Sequence, residues 1–543
     1  MPIDGVLRKY DWTLSRGYLS PDGYNKSGIF VNGQFPGPTI EANWGDWIEV
    51  TVHNNIIGDD AEGTAIHWHG LTQRNTQEFD GVPSITQCPI APGATFTYRF
   101  QADLYGTTFW HSHYSAQWTA GVHGAFIIHG PKHVPYDEDL GPILVGDYYH
   151  KDYFTVLEAA ASDSPDFDVY VPSSDNSLIN GKANYNCSMA SDNATCHSNA
   201  GLAKFRFRQG KSHRLRLING GAAALVHFSI DNHRLQVIAH DMTPLVPYEV
   251  DYVTLGAGQR TDVVVQAVGA SDSAYWMRST ISMNCSAART QQGMGIVLYD
   301  SAPEEALPQS ERSPAATAAD EKSFLCQNVR YKTPSPDPLR LTTPLISTPP
   351  ASIPSTTITV NVTLATNDTG HHVWLLNNVT QWANYNRPLL GLASAENYTG
   401  LLDPVWNVYD LGSNKTIRIV MNTDYQSAHP MHLHGHQFAV LSEGLGPFNG
   451  SIDPAMLANP PRRDVHMMPR YGHLVIQFEA DNPGAWSYHC HIAWHSAMGY
   501  TVNILERPDE IRGGRIADAL KHTCSAWDAY TQQHVVDQID SGI

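Results

Sequence analysis

Ile29-Phe30-Val31-Asn32-Gly33, followed by Gly45-Asp46-Trp47-Ile48-Glu49-Val50-Thr51-Val52, reads as a strand, a turn and an alternating strand. The pattern returns twice. Leu178-Ile179-Asn180-Gly181 precedes Gly210-Lys211-Ser212-His213-Arg214-Leu215-Arg216-Leu217, and Leu375-Leu376-Asn377-Asn378 precedes Gly412-Ser413-Asn414-Lys415-Thr416-Ile417-Arg418-Ile419. Between the copies the chain is dense in short apolar runs broken by Gly, Pro and Asn, so an all-β fold of three consecutive β-sandwich domains is predicted. Boundaries come from composition. Gly130-Pro131 closes a first domain, 1–131, after the strand Ala125 to His129; a second domain spans 132–300. Residues 301–354, rich in Pro, Ser, Ala and Thr, read as a long connection to a third domain at 355–543. One helix is predicted, Asp509 to Trp527, from the spacing of Ile511, Ile516, Leu520 and Cys524.

The 543 residues suit three or four domains, and 42% apolar against 16% charged residues describes a globular chain with a large core. A formal net charge of −19 argues against nucleic acid or an anionic membrane as partner. No apolar run is long enough to span a bilayer. Ten Asn-x-Ser/Thr sequons, at Asn25, Asn186, Asn193, Asn284, Asn361, Asn367, Asn378, Asn397, Asn414 and Asn449, favour secretion and glycosylation. No signal peptide is found at Met1-Pro2-Ile3-Asp4, so the expectation is either that a leader has been removed or that the sequence starts at the mature protein.

The chemistry lies in histidine. In an extended His489-Cys490-His491-Ile492-Ala493-Trp494-His495, the two flanking imidazoles look one way and Cys490 the other, so one stretch can bridge two metal sites. A thiolate with an imidazole five residues on, at His495, suits a trigonal blue-copper centre that needs one more His. Further His-x-His pairs stand at His67/His69, His111/His113 and His432/His434. Four pairs supply eight nitrogens, a set suited to three copper ions, and His429 is left over as the remote partner of Cys490 and His495. Structural zinc prefers four ligands at finger-like spacings, which a lone Cys between two His does not offer. His53, His123, His129, His133, His436 and His473 are read as ordinary hydrogen-bonded or surface residues.

These four motifs, in this order, closely resemble the multicopper oxidases, and most of all the laccases of ascomycete fungi. The resemblance implies cupredoxin-like Greek-key sandwiches with a short C-terminal helix, and four copper ions. It places type 1 copper on His429, Cys490 and His495, type 2 on His67 and His432, and the type 3 pair on His69, His111, His113, His434, His489 and His491. The trinuclear set is then shared between the first and third domains. The second carries no ligand and forms part of the substrate pocket. By the same resemblance a donor, a phenol or aromatic amine, is oxidised one electron at a time at the mononuclear site, dioxygen is reduced to two waters at the trinuclear site, and the chain acts as a monomer. A ferroxidase, a bilirubin or ascorbate oxidase, and a copper-binding protein without turnover are the alternatives. A ferroxidase needs a carboxylate cluster near His495, which the sequence does not reveal.

Other roles follow from the resemblance. Asp80 matches a carboxylate that feeds protons to the cluster; relatives place a second one where this chain has Ala493. With Cys490 set aside, six of the seven Cys remain; Cys88–Cys524 and Cys285–Cys326 are the implied pairs, leaving Cys187 and Cys196 to close a local loop. Asp540-Ser541-Gly542-Ile543 resembles a C-terminal plug of the channel toward the trinuclear site. Two positions depart from the pattern. Relatives carry Met, Leu or Phe at the axial type 1 position, where this chain has Tyr500. In place of a substrate-binding Asp or Glu stands Ala223, within Gly220-Gly221-Ala222-Ala223-Ala224, so His495 borders the pocket without that carboxylate.

Overall fold

A computed structural model describes residues 2, 5–162, 164, 172–190, 194–312, 342–395, 398–511 and 514–536. The plug residues Asp540 to Ile543, Cys326 and the sequons at Asn193 and Asn397 lie outside these. Six sheets form three consecutive cupredoxin-like sandwiches. In the first, Leu7–Leu19 and Trp47–Asn54 lie at the centre of one sheet, while His123–His129 and Gly106–Ser112 lie at the centre of the other. The second and third each pair a six-stranded with a five-stranded sheet. Their cores interdigitate the inner faces, as Leu215 and Val263 do with Phe228 and Val297.

The threefold repeat is a repeat of bonds. Asn32, Asn180 and Asn377 each hold positive φ (52°, 47° and 52°), which Asn tolerates better than most residues. Each side-chain oxygen accepts a backbone N–H from the strand before last: Thr13 at 2.8 Å, Leu144 at 2.7 Å, Asn361 at 2.9 Å. Each side-chain amide donates to a carbonyl two residues earlier, on Asp11, Pro142 and Thr359. That stapled strand then pairs in parallel with the alternating strand of the repeat: Leu7–Leu19 with Trp47–Asn54, Glu138–Tyr148 with Ser212–Asn219, and Thr356–Thr366 with Thr416–Thr423.

Two helical details differ from expectation. The predicted C-terminal helix is seen as Pro508–Ile511 and Gly514–Thr531, with 512 and 513 outside the described residues, and it continues beyond Trp527. A second helix, Tyr153–Ala161, was not anticipated; Asp152 caps it by accepting the Phe154 N–H at 3.0 Å, and it packs on the short helix Ala493–Ala497. Cys88–Cys524 and Cys187–Cys196 are bonded, with Cα atoms 5.0 and 5.8 Å apart. Cys285 is also disulfide-bonded, its partner lying outside the described residues. No helix among the described residues is long and apolar enough to cross a membrane.

Candidate metal centres

The central motif divides as its strand period requires. His489 and Cys490 end the strand Gly484–Cys490, where Cys490 stands opposite Met431 and His489 opposite His432. Cys490 Sγ lies 3.7 Å from His429 Nδ1 and 3.6 Å from His495 Nδ1, and those two nitrogens are 3.2 Å apart. The sequence neighbours of Cys490 face elsewhere. His489 joins His113 and His434, and the ring of His491 lies 5.0 Å from His69 and 5.2 Å from His111. All of the histidines assigned to the larger centre are buried and brought into one region between the first and third sandwiches.

Their hydrogen bonds reveal where the lone pairs point. Nδ1 donates from His67 to the Asp80 carbonyl (2.8 Å), from His111 to the Ser112 carbonyl (2.9 Å), from His432 to the Asp464 carbonyl (2.8 Å), from His434 to the Asp80 carboxylate (2.8 Å) and from His489 to the Cys490 carbonyl (3.0 Å). A neutral imidazole has one N–H, so each of these rings keeps its lone pair on Nε2. His434 Nε2 nevertheless faces His489 Nε2 at 3.0 Å, and His69 Nδ1 faces His111 Nε2 at 3.4 Å. Two lone pairs at that distance repel unless a cation lies between them. The Nε2 atoms of His67 and His432, and both ring nitrogens of His491, are buried without a protein partner. This donor set fits metal ions, and all-imidazole ligation with a separate thiolate suits copper.

Electrostatics agree. Burial, then the neighbouring imidazoles, hold His69, His111, His113, His432, His434 and His491 well below the ordinary histidine range; burial takes His489 down to about 4 and His495 to about 3. They are neutral imidazoles at neutral pH, each with a lone pair to offer. Burial also pushes the Cys490 thiol up, so its thiolate needs a cation beside it.

Beside Cys490, His495 sits on the helix Ala493–Ala497 and is partly open to a cavity of about 60 Å³, shared with Asp147, Ala223, Trp374, Tyr425 and Ile492. Ala223 and His495 are thus brought together. Tyr500, expected at the axial position, is fully buried, and its ring centroid lies 4.8 Å from that of His429. Asp80 is buried between His67 and His434, its Oδ1 lying 3.2 Å from His67 Nδ1. The histidines set aside have ordinary partners: His53 with Thr95, His123 with the Trp118 carbonyl, His129 with Glu41, His133 with the Ile238 carbonyl, His436 with Glu506 and His473 with the Gly446 carbonyl. Sequence reasoning missed Asp147, whose carboxylate takes the N–H groups of Ala222, Ala223 and Ala224 at 2.7, 3.1 and 3.1 Å, and whose pKa burial raises. It also missed Asp464 and Arg260. No signal within the histidine motifs points to these three.

Residues 13–133, 139–302 and 367–510 each match a multicopper oxidase family model. The chain is 38% identical over 553 residues to oxidoreductase OpS5 of Beauveria bassiana, covering 100% of this chain and 89% of that protein. It is 37% identical over 552 residues to laccase-2 of Botryotinia fuckeliana, with the same coverage. The crystal structure of the laccase from Botrytis aclada is 36% identical and superposes with a TM-score of 0.88, covering 99% of this chain and 95% of that one. The chain belongs to the multicopper oxidase family. It is a copper-dependent oxidoreductase that uses dioxygen.

Proposed function

We propose that this protein is a laccase-type oxidase that takes single electrons from phenols or aromatic amines beside His495 and reduces dioxygen to water at the larger histidine centre. The observation that carries this reading is the division of one heptapeptide between two centres, with Cys490 3.6 and 3.7 Å from His495 and His429 while His489 and His491 face the other histidines. His429, Cys490 and His495 would hold one copper ion; His67, His69, His111, His113, His432, His434, His489 and His491 would hold three. Copper supplies one-electron redox chemistry at both places.

The chain's own groups do the rest. The covalent path from Cys490 to His489 and His491 joins the two centres without a gap. His495 lines the cavity, whose walls of Trp374, Tyr425 and Ile492 favour a flat aromatic donor. Asp80, in contact with both His67 and His434, is placed to hold a proton for the oxygen reaction. Secretion of a glycosylated monomer fits the surface positions of Asn186, Asn284, Asn361, Asn378 and Asn449 and the disulfides.

Oxygen uptake by the copper-loaded protein, with a phenol, an aromatic amine and ferrous iron offered side by side, tests the reading. Preference for the organic donors is expected. Preference for iron overturns it in favour of a ferroxidase.

A further inference from the structure

The second sandwich contributes none of the histidines, yet one of its side chains reaches their centre. Arg260 opens the strand Arg260–Gln266 and is fully buried. Its Nη1 and Nη2 donate to the two carboxylate oxygens of Asp464, each at 2.6 Å. Nε donates to the Thr107 carbonyl at 3.2 Å, and Nη1 also reaches the Gly258 carbonyl at 3.1 Å. Thr107 belongs to the first sandwich and Asp464 to the third, so one guanidinium ties all three together. Asp241, 3.4 Å from Arg260 Nη1, takes Arg463 Nε at 3.0 Å, so two cations balance two carboxylates in this buried block.

The far side of Asp464 meets the candidate ligands. Its Oδ1 lies 3.1 Å from His69 Nε2, and its carbonyl accepts from His432 Nδ1. Here His69 is the reverse of His67, His111, His432, His434 and His489, which all have Nδ1 tied to an oxygen. In His69 the carboxylate holds Nε2, so the proton sits there and Nδ1 keeps the lone pair that faces His111. Asp464 cannot turn away, because both of its oxygens are gripped by the fork of Arg260. The backbone makes room for this arrangement. A Cβ on Gly70, at φ +78°, would fall 2.5 Å from Arg260 Nη2 and 2.8 Å from Asp464 Oδ2, which explains the glycine closing His67-Trp68-His69-Gly70.

We propose that Arg260 is a positioning residue for the trinuclear site: through Asp464 it fixes His69 in the tautomer that offers Nδ1, so the sandwich without ligands sets the geometry of a ligand in another. The proposal rests on the copper reading of the histidine centre. Orienting partners of this kind are typically worth about 10- to 100-fold in metal affinity.

The test uses the full-length protein and its R260K, R260M and D464N variants, stripped of copper and reloaded against a competing chelator. Copper per chain is measured together with the blue absorption of the Cys490 site, which reports folding of the third sandwich, and the paramagnetic resonance of the remaining copper. Retained blue colour with a loss of affinity for the remaining copper of about 10- to 100-fold is expected for R260M and D464N. The loss should be smaller for R260K, which keeps the charge but not the fork, and which carries the test if R260M does not fold. Loading and spectra of all variants equal to wild type overturn the clasp alone. A wild-type protein that takes up copper only at Cys490 overturns the copper reading, and the proposal with it.

Discussion

Replacing Asp80 with Asn changes almost no volume and separates two contributions of the carboxylate. Asp80 is fully buried; Oδ2 takes the His434 Nδ1–H at 2.8 Å, Oδ1 lies 3.2 Å from His67 Nδ1, and the carbonyl accepts from His67 at 2.8 Å. An amide keeps one acceptor oxygen but turns the other contact into N–H against N–H, while the backbone bond to His67 survives. The structural loss is therefore the charge on the acceptor of the His434 bond, the difference between a charged and a neutral hydrogen bond, about 1–1.5 kcal/mol or about 5- to 10-fold in ligand ordering. The proton-transfer loss is separate and larger, about 10²- to 10⁴-fold in the step that consumes protons. Copper content is measured first. Anaerobic bleaching of the blue colour by a phenol should then proceed at the wild-type rate, and its recovery on admitting dioxygen should slow by about 10²- to 10⁴-fold. Asp80→Ala should be at least as slow. Recovery at the wild-type rate in a fully loaded Asp80→Asn protein refutes the proton role. A deficit accounted for by missing copper would make Asp80 a holder of His434 and nothing more.

Cys490→Ser should abolish the blue colour and activity while leaving the other copper bound; a surviving blue band would refute the ligand assignment. Removing the Cys88–Cys524 bridge, which spans 436 residues, forfeits about 6 kcal/mol in the chain-entropy picture, and exchange of the Gly514–Thr531 amides should accelerate before that of the sheets. Unchanged exchange there would contradict it. Burial lowers Lys26 to about 8 from 10.5, so the unfolded chain binds the extra proton between those values and stability rises with pH across that window. Lys26→Met should remove that slope, worth up to about 3 kcal/mol, and equal pH slopes in denaturant titrations of the two proteins would count against it. Ala223→Asp should raise kcat/KM for phenols by about 10²-fold without helping donors that lose no proton; equal gains for both would exclude a proton-accepting role.

Much of the fold was legible because its determinants are local. The turns at Asn32, Asn180 and Asn377 each staple a strand only 16 to 36 residues earlier, so a short motif suffices to signal each. The helix Tyr153–Ala161 escaped notice because only nine residues carry it and its packing partner, Ala493–Ala497, lies far along the chain. Asp147 was invisible for a related reason. The stretch from Gly220 to Ala224 contains no acid, and the carboxylate that takes its N–H groups comes from the strand Glu138–Tyr148.

The candidate centres show the same division with a sharper cause. A strand places residues i and i+2 on one face, so a His-x-His pair is a complete local device for offering two lone pairs in one direction. The residue between them points away and cannot orient its neighbours: Cys490 faces the other centre, and Ser112 orients His111 through its carbonyl, not its side chain. Side chains that set a tautomer must therefore arrive from other strands, as Asp80 does for His434, 354 positions away, and Asp464 for His69, 395 positions away. Such partners leave no trace in local spacing. Arg260 is one step further removed, since it touches no histidine through a polar bond and acts on a carboxylate that does. The ligands of such a centre can be read from one dimension, whereas the groups that fix their protons become visible only once the sandwiches are packed together.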